Sequence, residues 1–202
     1  MAKILVVYYS MNGSTFELAQ AIETGAKAEG AEVRLRQVPE HIPESVWKNL
    51  KGVPEAKARQ ASVPLATIDD LRWADGIVFG SPTRFGNMAG QMKNFMDQTG
   101  VLWVKHELDG KVAAFFTGAD TVHGGHESTI LTMSTFAYHH GMTIVTMGYA
   151  LPETGSTTTG GGPYGPSHHG KGHTAPSIDK DERTIAESMG KRVALAAKKL
   201  FG

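Results

Sequence analysis

In Ile4-Leu5-Val6-Val7-Tyr8-Tyr9-Ser10-Met11-Asn12-Gly13-Ser14-Thr15, an unbroken apolar run gives way abruptly to a polar, glycine-bearing turn. Continuous rather than alternating hydrophobicity predicts a strand covered on both faces, as in a parallel sheet. Beyond the turn, Phe16, Leu18, Ala19, Ile22 and Ala26 recur near helical spacing, with Ser14 and Thr15 offering N-cap chemistry and Gly30 closing the segment. Val33 to Val38 then alternates and reads as a second, more exposed strand. Strand, helix, strand is the unit from which doubly wound sheets are built.

The same grammar resumes after a polar, proline-punctuated excursion from Pro39 to Pro64, which holds a short helix around Trp47 and reads as a lid or interface piece. Asp75–Gly80 is a buried strand, Met88–Gln98 a helix, Lys111–Thr117 a fourth strand, Glu127–His140 a helix and Met142–Met147 a fifth strand. Ile185–Leu200 closes the chain as an amphipathic helix. Five strand stations alternating with helices predict an α/β, doubly wound, mostly parallel sheet in one domain. Such sheets bind ligands beyond the carboxyl ends of their strands, at the switch point of strand order. The segments falling at those ends are Ser10–Thr15, Ser81–Gly86, Gly118–Gly125 and Gly148–Gly172.

Composition narrows the chemistry. The chain has 202 residues, 41% hydrophobic and 20% charged, with 20 Lys plus Arg against 20 Asp plus Glu. A neutral total argues against a polyanion-binding surface, so no nucleic-acid partner is expected. The absence of cysteine excludes disulfides, thiolate metal sites and a cysteine nucleophile, and suits a reducing cytoplasm. The apolar run from Ile4 to Tyr9 is too short for a membrane span and has no small-residue cleavage site after it, so a soluble intracellular chain is expected. Glycine is in excess, 24 where average usage gives about 14. Gly13, Gly80, Gly86, Gly118, Gly124 and Gly125 cluster at strand ends, and Gly155, Gly160, Gly161, Gly162, Gly165, Gly170 and Gly172 crowd one late insertion.

Each polar segment admits a functional and a plain reading. Ser10–Thr15 is neither a dinucleotide fingerprint nor a nucleoside-triphosphate loop, and it lacks lysine. Its hydroxyls and the N–H groups of a helix N-terminus suit a phosphate monoester; a capped turn is the plain reading. In Ser81-Pro82-Thr83-Arg84-Phe85-Gly86-Asn87, an exposed arginine and phenylalanine side by side suit a flat ligand with hydrogen-bonding edges, while the plain reading packs Phe85 in the core. In Gly118–His126, His123 and His126 have no third partner, so a backbone-rich contact loop is expected rather than a metal site. Ser167-His168-His169-Gly170-Lys171-Gly172-His173 reads as a mobile, solvated loop. His139 and His140 either cap a helix or turn toward a ligand, and Trp103, placed in a loop, is either a core anchor or a pocket wall.

Tyr8-Tyr9-Ser10-Met11-x-Gly13, Ser81-Pro82-Thr83-Arg84-Phe85-Gly86-Asn87-Met88, Gln91-Met92-Lys93, Asp97-Gln98-Thr99-Gly100, His139-His140-Gly141-Met142 and Gly162-Pro163-Tyr164-Gly165 closely resemble the WrbA family of flavodoxin-like, FMN-dependent NAD(P)H:quinone oxidoreductases. The resemblance runs in order from residue 2 to the closing helix. It implies a flavodoxin-like five-stranded sheet in three layers, with insertions after strand 2 (about 39–64) and after strand 5 (about 148–177). It also implies FMN, NADH or NADPH as donor, ping-pong hydride transfer to a quinone through flavin N5, and a homotetramer, a dimer of dimers with its FMN sites near subunit interfaces.

By position, Ser10, Met11, Asn12, Gly13, Ser14 and Thr15 would hold the FMN phosphate, and Pro82, Thr83, Arg84 and Phe85 the ribityl chain and isoalloxazine. Thr117, Gly118, Ala119, Asp120 and Gly124 would cover the other edge. His140, with His139 beside it, would face the flavin from a neighbouring subunit, His140 as proton donor, and Trp103 would wall the substrate pocket. Relatives often carry an aromatic residue where this chain has Asn12, and the third loop departs from the family's Thr/Gly-rich run. The competing readings are a flavodoxin-type electron carrier and a non-enzymatic binding partner.

Overall fold

The computed structural model describes residues 1–172 and 177–202. Its strands are β1 (Lys3–Tyr8), β2 (Glu32–Gln37), β3 (Gly76–Arg84), β4 (Asn87–Met88), β5 (Val112–Ala119), β6 (Thr143–Ile144) and β7 (Ser167–His169). Its helices are α1 (Ser14–Ala28), α2 (Glu44–Trp47), α3 (Val53–Gln60), α4 (Ile68–Trp73), α5 (Gly90–Asp97), α6 (Gly100–Val104), α7 (His126–His139), α8 (Pro152–Ser156) and α9 (Lys180–Phe201). The sheet runs β2-β1-β3-β5-β6, every neighbour along it parallel, with β7 also parallel to β5 and β4 folded back antiparallel on β3. This is the expected doubly wound, three-layer arrangement, with its switch point between β1 and β3.

The apolar runs divide as a pleated, doubly covered sheet requires. Ile4, Val6, Tyr8, Val78, Val112, Ala114 and Phe116 face α1 and α9. Leu5, Val7, Tyr9, Ile77, Phe79, Ala113 and Phe115 face the opposite layer, with Leu71, Met92, Phe95, Leu102 and Met133 from α4, α5, α6 and α7. On the first side two glycines set the helix spacing. A Cβ on Gly25 would lie 1.9 Å from the Glu187 carbonyl oxygen, and one on Gly190 2.0 Å from that of Ile22, so α1 and α9 meet at their backbones.

Five local expectations are corrected. Ser14 and Thr15 lie inside α1, whose N-cap is Gly13 at φ 98°, with no side-chain cap. Gly30 does close the helix, through Gly30 N–H to Lys27 O and Ala31 N–H to Ala26 O, a Schellman pair. Ser81–Arg84 is the extended end of β3 rather than a loop, turned back at Phe85–Gly86 into β4. Trp103 stands on α6, which starts at Gly100 and buries Leu102, leaving Trp103 outward. The strand expected over Met142–Met147 pairs only at Thr143–Ile144, because Met147 turns into the core and Gly148, at φ 58°, bonds to Pro163.

The fifth correction concerns the late insertion. Instead of following the fifth strand, it interrupts that rank of the sheet: β6 occupies the lower half beside β5 and β7 returns to fill the upper half. Ser167–His169 is therefore a buried strand and not a solvated tract; His173, from the same tract, lies outside the described residues. What buries these polar residues is Glu182 on α9. Its carboxylate accepts from His168 Nδ1 at 2.8 Å, His169 N–H at 2.9 Å and Gly160 N–H at 2.8 Å. It also accepts from Asp179 N–H at 3.0 Å, closing a capping box at the start of α9.

Candidate functional site

Three loops leave the carboxyl ends of adjacent strands β1, β3 and β5 and meet at the switch point. The first is a tight turn: Tyr9 N–H continues the ladder to Gly80 O, and Ser10 Oγ accepts Gly13 N–H at 3.1 Å. Ser10, Met11, Gly13 and Thr15 are buried, while Asn12 is exposed. Gly13 is required here by its left-handed conformation, φ 98°, and the flexible tip of Arg59 covers its open side, Nη2 lying 2.3 Å from where a Cβ would stand. The turn presents the N-terminus of α1, uncapped by any side chain, where orphan N–H groups and the helix dipole favour an anion.

The second loop is a two-residue hairpin. Arg84 pairs with Asn87 across Phe85 (φ 54°) and Gly86 (φ 79°), both in the left-handed region that such a turn demands. Glycine adopts it freely; for phenylalanine it costs about 1–2 kcal/mol. Phe85 is nevertheless fully exposed, so no core packing offsets that strain. A strained, solvent-facing ring beside exposed Arg84 is a surface prepared for a flat partner. The hairpin's base is fixed: Ser81 Oγ accepts Ala89 N–H at 2.8 Å, and Thr117 Oγ1 donates to Ser81 O at 2.7 Å.

The third loop packs against both others. A Cβ on Gly118 would sit 3.8 Å from Thr15 Oγ1, and one on Gly125 2.8 Å from Gly86 Cα. Thr129 Oγ1 donates to Thr83 Oγ1 at 3.0 Å, tying the start of α7 to the hairpin. Ala119 is buried and Asp120 half-buried, with Gly124 at the turn before α7. His126 Nε2 donates to Thr121 O at 3.2 Å, whereas His123 is exposed. Ser10, Met11, Asn12, Gly13, Ser14, Thr15, Pro82, Thr83, Arg84, Phe85, Thr117, Gly118, Ala119, Asp120 and Gly124 all lie on these three strand ends and loops, the candidate cleft. The glycines without Cβ, the uncapped helix and the exposed ring suit FMN: a phosphate at α1 and a flat ring at the hairpin.

His140 and Trp103 are not in that cleft. They line a cavity of about 430 Å³ with Met88, Met96, Thr99, Phe136 and His139, bounded by β4, α5, α6 and the end of α7. The fourteen residues of α7 separate His126 at the cleft from His140 by roughly 20 Å. His140 is buried, its ring 4.4 Å from that of Phe136 and its Nε2 3.0 Å from Thr99 Oγ1. Because Thr99 Oγ1 donates to Met96 O, it accepts from His140 Nε2–H, which leaves Nδ1 as a buried acceptor without a partner among the described residues. Burial, aided by neighbouring His139, lowers the His140 pKa below the ordinary imidazole value.

A further cluster, unread in the sequence, supports the first loop from below. Glu40 accepts from Lys57 Nζ at 2.7 Å, Tyr9 OH at 2.9 Å and Gln91 Nε2 at 2.8 Å, and from the backbone of His41 and Ile42. Lys57 also reaches Ser10 O at 3.4 Å. Burial alone would raise the Glu40 pKa, but the bonds from Lys57, Ile42 N–H, Gln91 and Tyr9 hold it at about 2, against 4.5 for a free carboxyl. The folded value lies below the unfolded one, so its contribution is complete above about pH 4.5 and disappears as pH falls toward 2. Glu40→Gln should cost about 2 kcal/mol at neutral pH and flatten that acid limb in urea unfolding. An unchanged limb would show that Glu40 does not carry it.

Sheet order and the layering of helices on both faces define a flavodoxin-like fold. A profile of the NADPH-dependent FMN reductase family matches residues 2–155. Over 201 residues, 98% of each chain, the protein is 47% identical to an NAD(P)H dehydrogenase (quinone) of Geotalea daltonii. Over 206 residues it is 47% identical to an NAD(P)H dehydrogenase (quinone) of Geobacter sulfurreducens, covering 98% of this chain and 99% of that one. Among solved structures, a flavodoxin, WrbA-like protein from Agrobacterium tumefaciens superposes with TM-score 0.70 at 23% identity, covering 99% of each chain. A flavodoxin from the Archaea gives 0.61 at 19% identity, covering 97% of this chain and 99% of that one. The chain belongs to the NADPH-dependent FMN reductase family.

Proposed function

We propose that the protein is an FMN-dependent NAD(P)H dehydrogenase (quinone) that reduces quinones to hydroquinones in the cytoplasm. The observation that carries the proposal is the convergence of the three loops on an uncapped helix N-terminus and an exposed, strained Phe85. Bound FMN would supply a two-electron relay, its N5 taking hydride from nicotinamide and giving it to quinone at one face, which predicts ping-pong kinetics. The first loop binds the phosphate through Ser10–Thr15, Pro82–Phe85 orient the ring, and Thr117–Asp120 with Gly124 exclude water from its other edge.

His140, at the end of α7 in the second cavity, serves a cleft on a neighbouring subunit, with Trp103 walling the same pocket. Exposed Val101, Trp103, Val104, Leu131 and Tyr138 on α6 and α7 give that face the apolar character a homotetramer contact needs. With Nε2–H committed to Thr99, His140 passes a proton only from Nδ1. As donor it acts in its cationic form, so turnover falls as pH rises through its lowered pKa.

FMN-loaded protein given NADH or NADPH and benzoquinone should oxidise the nucleotide steadily, with parallel double-reciprocal plots. His140→Ala should lower turnover by about 10²-fold and remove that pH dependence; unchanged turnover and pH profile would end the proton role. No turnover, with a stable one-electron flavin radical, would replace the enzyme reading with an electron carrier, and failure to take up FMN would favour a non-enzymatic partner.

A further inference from the structure

The first loop carries no lysine or arginine, yet a phosphate monoester at the start of α1 brings up to two negative charges to it. It also brings them within one helical turn of Glu17. The cation that answers both comes from elsewhere in the chain. The excursion between β2 and β3 folds α3 directly over the loop, with Ala56 and Arg59 against the open side of Gly13. A Cβ there would be 3.5 Å from Ala56 Cβ and 2.3 Å from Arg59 Nη2. Of the two cations α3 places at the loop, Lys57 is committed to Glu40 at 2.7 Å and to Ser10 O.

Arg59 is placed differently. Its side chain is half exposed, and Nη1 donates to Glu17 Oε1 at 3.0 Å. Nη2, the atom above Gly13, has no partner among the described residues. Glu17 does not depend on Arg59, since it also accepts from Ser177 Oγ and Ile178 N–H, both at 3.2 Å. The guanidinium is therefore held at the mouth of the anion site by a partner that keeps other bonds if it turns. Its planar fork of donors matches phosphate oxygens.

We propose that Arg59 on α3 is a ligand for the phosphate of the cofactor, so that the excursion after the second strand belongs to the binding site and makes it selective for the phosphorylated flavin. The inference rests on the reading that FMN occupies the three loops. It assigns to residues 53–60 the positive charge that the loop of the first strand lacks.

The test is a comparison of two flavins differing only in the phosphate, titrated against apo-protein and followed by quenching of flavin fluorescence. Arg59→Gln should weaken FMN about tenfold and leave riboflavin within twofold, with Arg59→Lys between wild type and the glutamine variant for FMN. The wild-type preference for FMN should shrink in high salt, while that of Arg59→Gln barely moves. Equal weakening of both flavins would make Arg59 a structural residue and overturn the proposal, as would an unchanged FMN affinity. Riboflavin affinity reports that each variant is folded. A wild-type chain that binds neither flavin would overturn the cofactor reading itself, and with it this one; one that binds both flavins equally would overturn this one alone.

Discussion

Replacing Glu182 with alanine is expected to cost about 3–5 kcal/mol of folding free energy, because its carboxylate, 1% exposed, sits beneath four donors. Removing it leaves His168 Nδ1 and the N–H groups of Gly160, His169 and Asp179 buried without their acceptor, each worth about 1–3 kcal/mol when water cannot replace it. The segment cannot slide to compensate, since a Cβ on Gly160 would already fall 2.1 Å from Ser167 O. The loss should be visible as a lower urea midpoint and as new protease cleavage between residues 157 and 172. Glu182→Gln, keeping one acceptor oxygen, should fall between. Burial alone would raise the Glu182 pKa, but its bonds from His168, His169 N–H and Asp179 N–H lower it overall. Its stabilisation is therefore present above the ordinary carboxyl range and drains away as the medium is acidified below it, a slope both variants should lose. A Glu182→Ala protein with wild-type midpoint and proteolysis would show that β7 is held by β5 alone.

The second large effect is expected at Gly190. Alanine there gains about 1 kcal/mol of helix propensity, yet its methyl would meet Ile22 O at 2.0 Å and Ala26 N at 2.8 Å. Both are backbone atoms of α1, so no rotamer relieves the clash and the two helices must separate along the whole buried face. Net destabilisation of about 3 kcal/mol is expected by thermal unfolding, near the top of the usual range for overpacking. Gly90→Ala is the control: Gly90 is also helical, but nothing lies within 4 Å of its added methyl. That variant should be neutral or slightly stabilised. Equal behaviour of the two would show that α1 and α9 have room to part.

The order of layers was legible because it depends on local patterns. Runs such as Ile4–Tyr9 and Val112–Phe116 are apolar without interruption, the pattern of a doubly covered strand. The positions of the three loops followed from the strand ends. Less legible were elements stabilised by distant groups. Ser167-His168-His169 has no strand-like composition; it is a strand because β5 pairs with it and Glu182, fourteen residues past His168, accepts its polar groups. Glu40, Lys57 and Arg59 sit in a polar stretch with no periodic signal, and their partners Gln91, Ser10 and Glu17 are 51, 47 and 42 residues away. At α4 the sequence carries a local sign, Thr67-x-x-Asp70, a capping box that the structure closes in both directions. The roles expected of His140 and Trp103 rest on resemblance alone, since nothing in their local sequence points to a ligand.

The divided fifth rank has a consequence for how the protein keeps to itself. An open sheet ends in rows of unpaired N–H and C=O groups, and a long, flat final strand invites another molecule to add its own, the first step of aggregation. Here that border consists of two residues of β6 and three of β7, separated in sequence by 22 residues. Neither fragment is long enough to template an incoming strand, and the chain between them leaves through Gly148 and returns through Pro166. At this one edge of the sheet, strand addition is limited by geometry rather than by charge, since the chain carries no net charge.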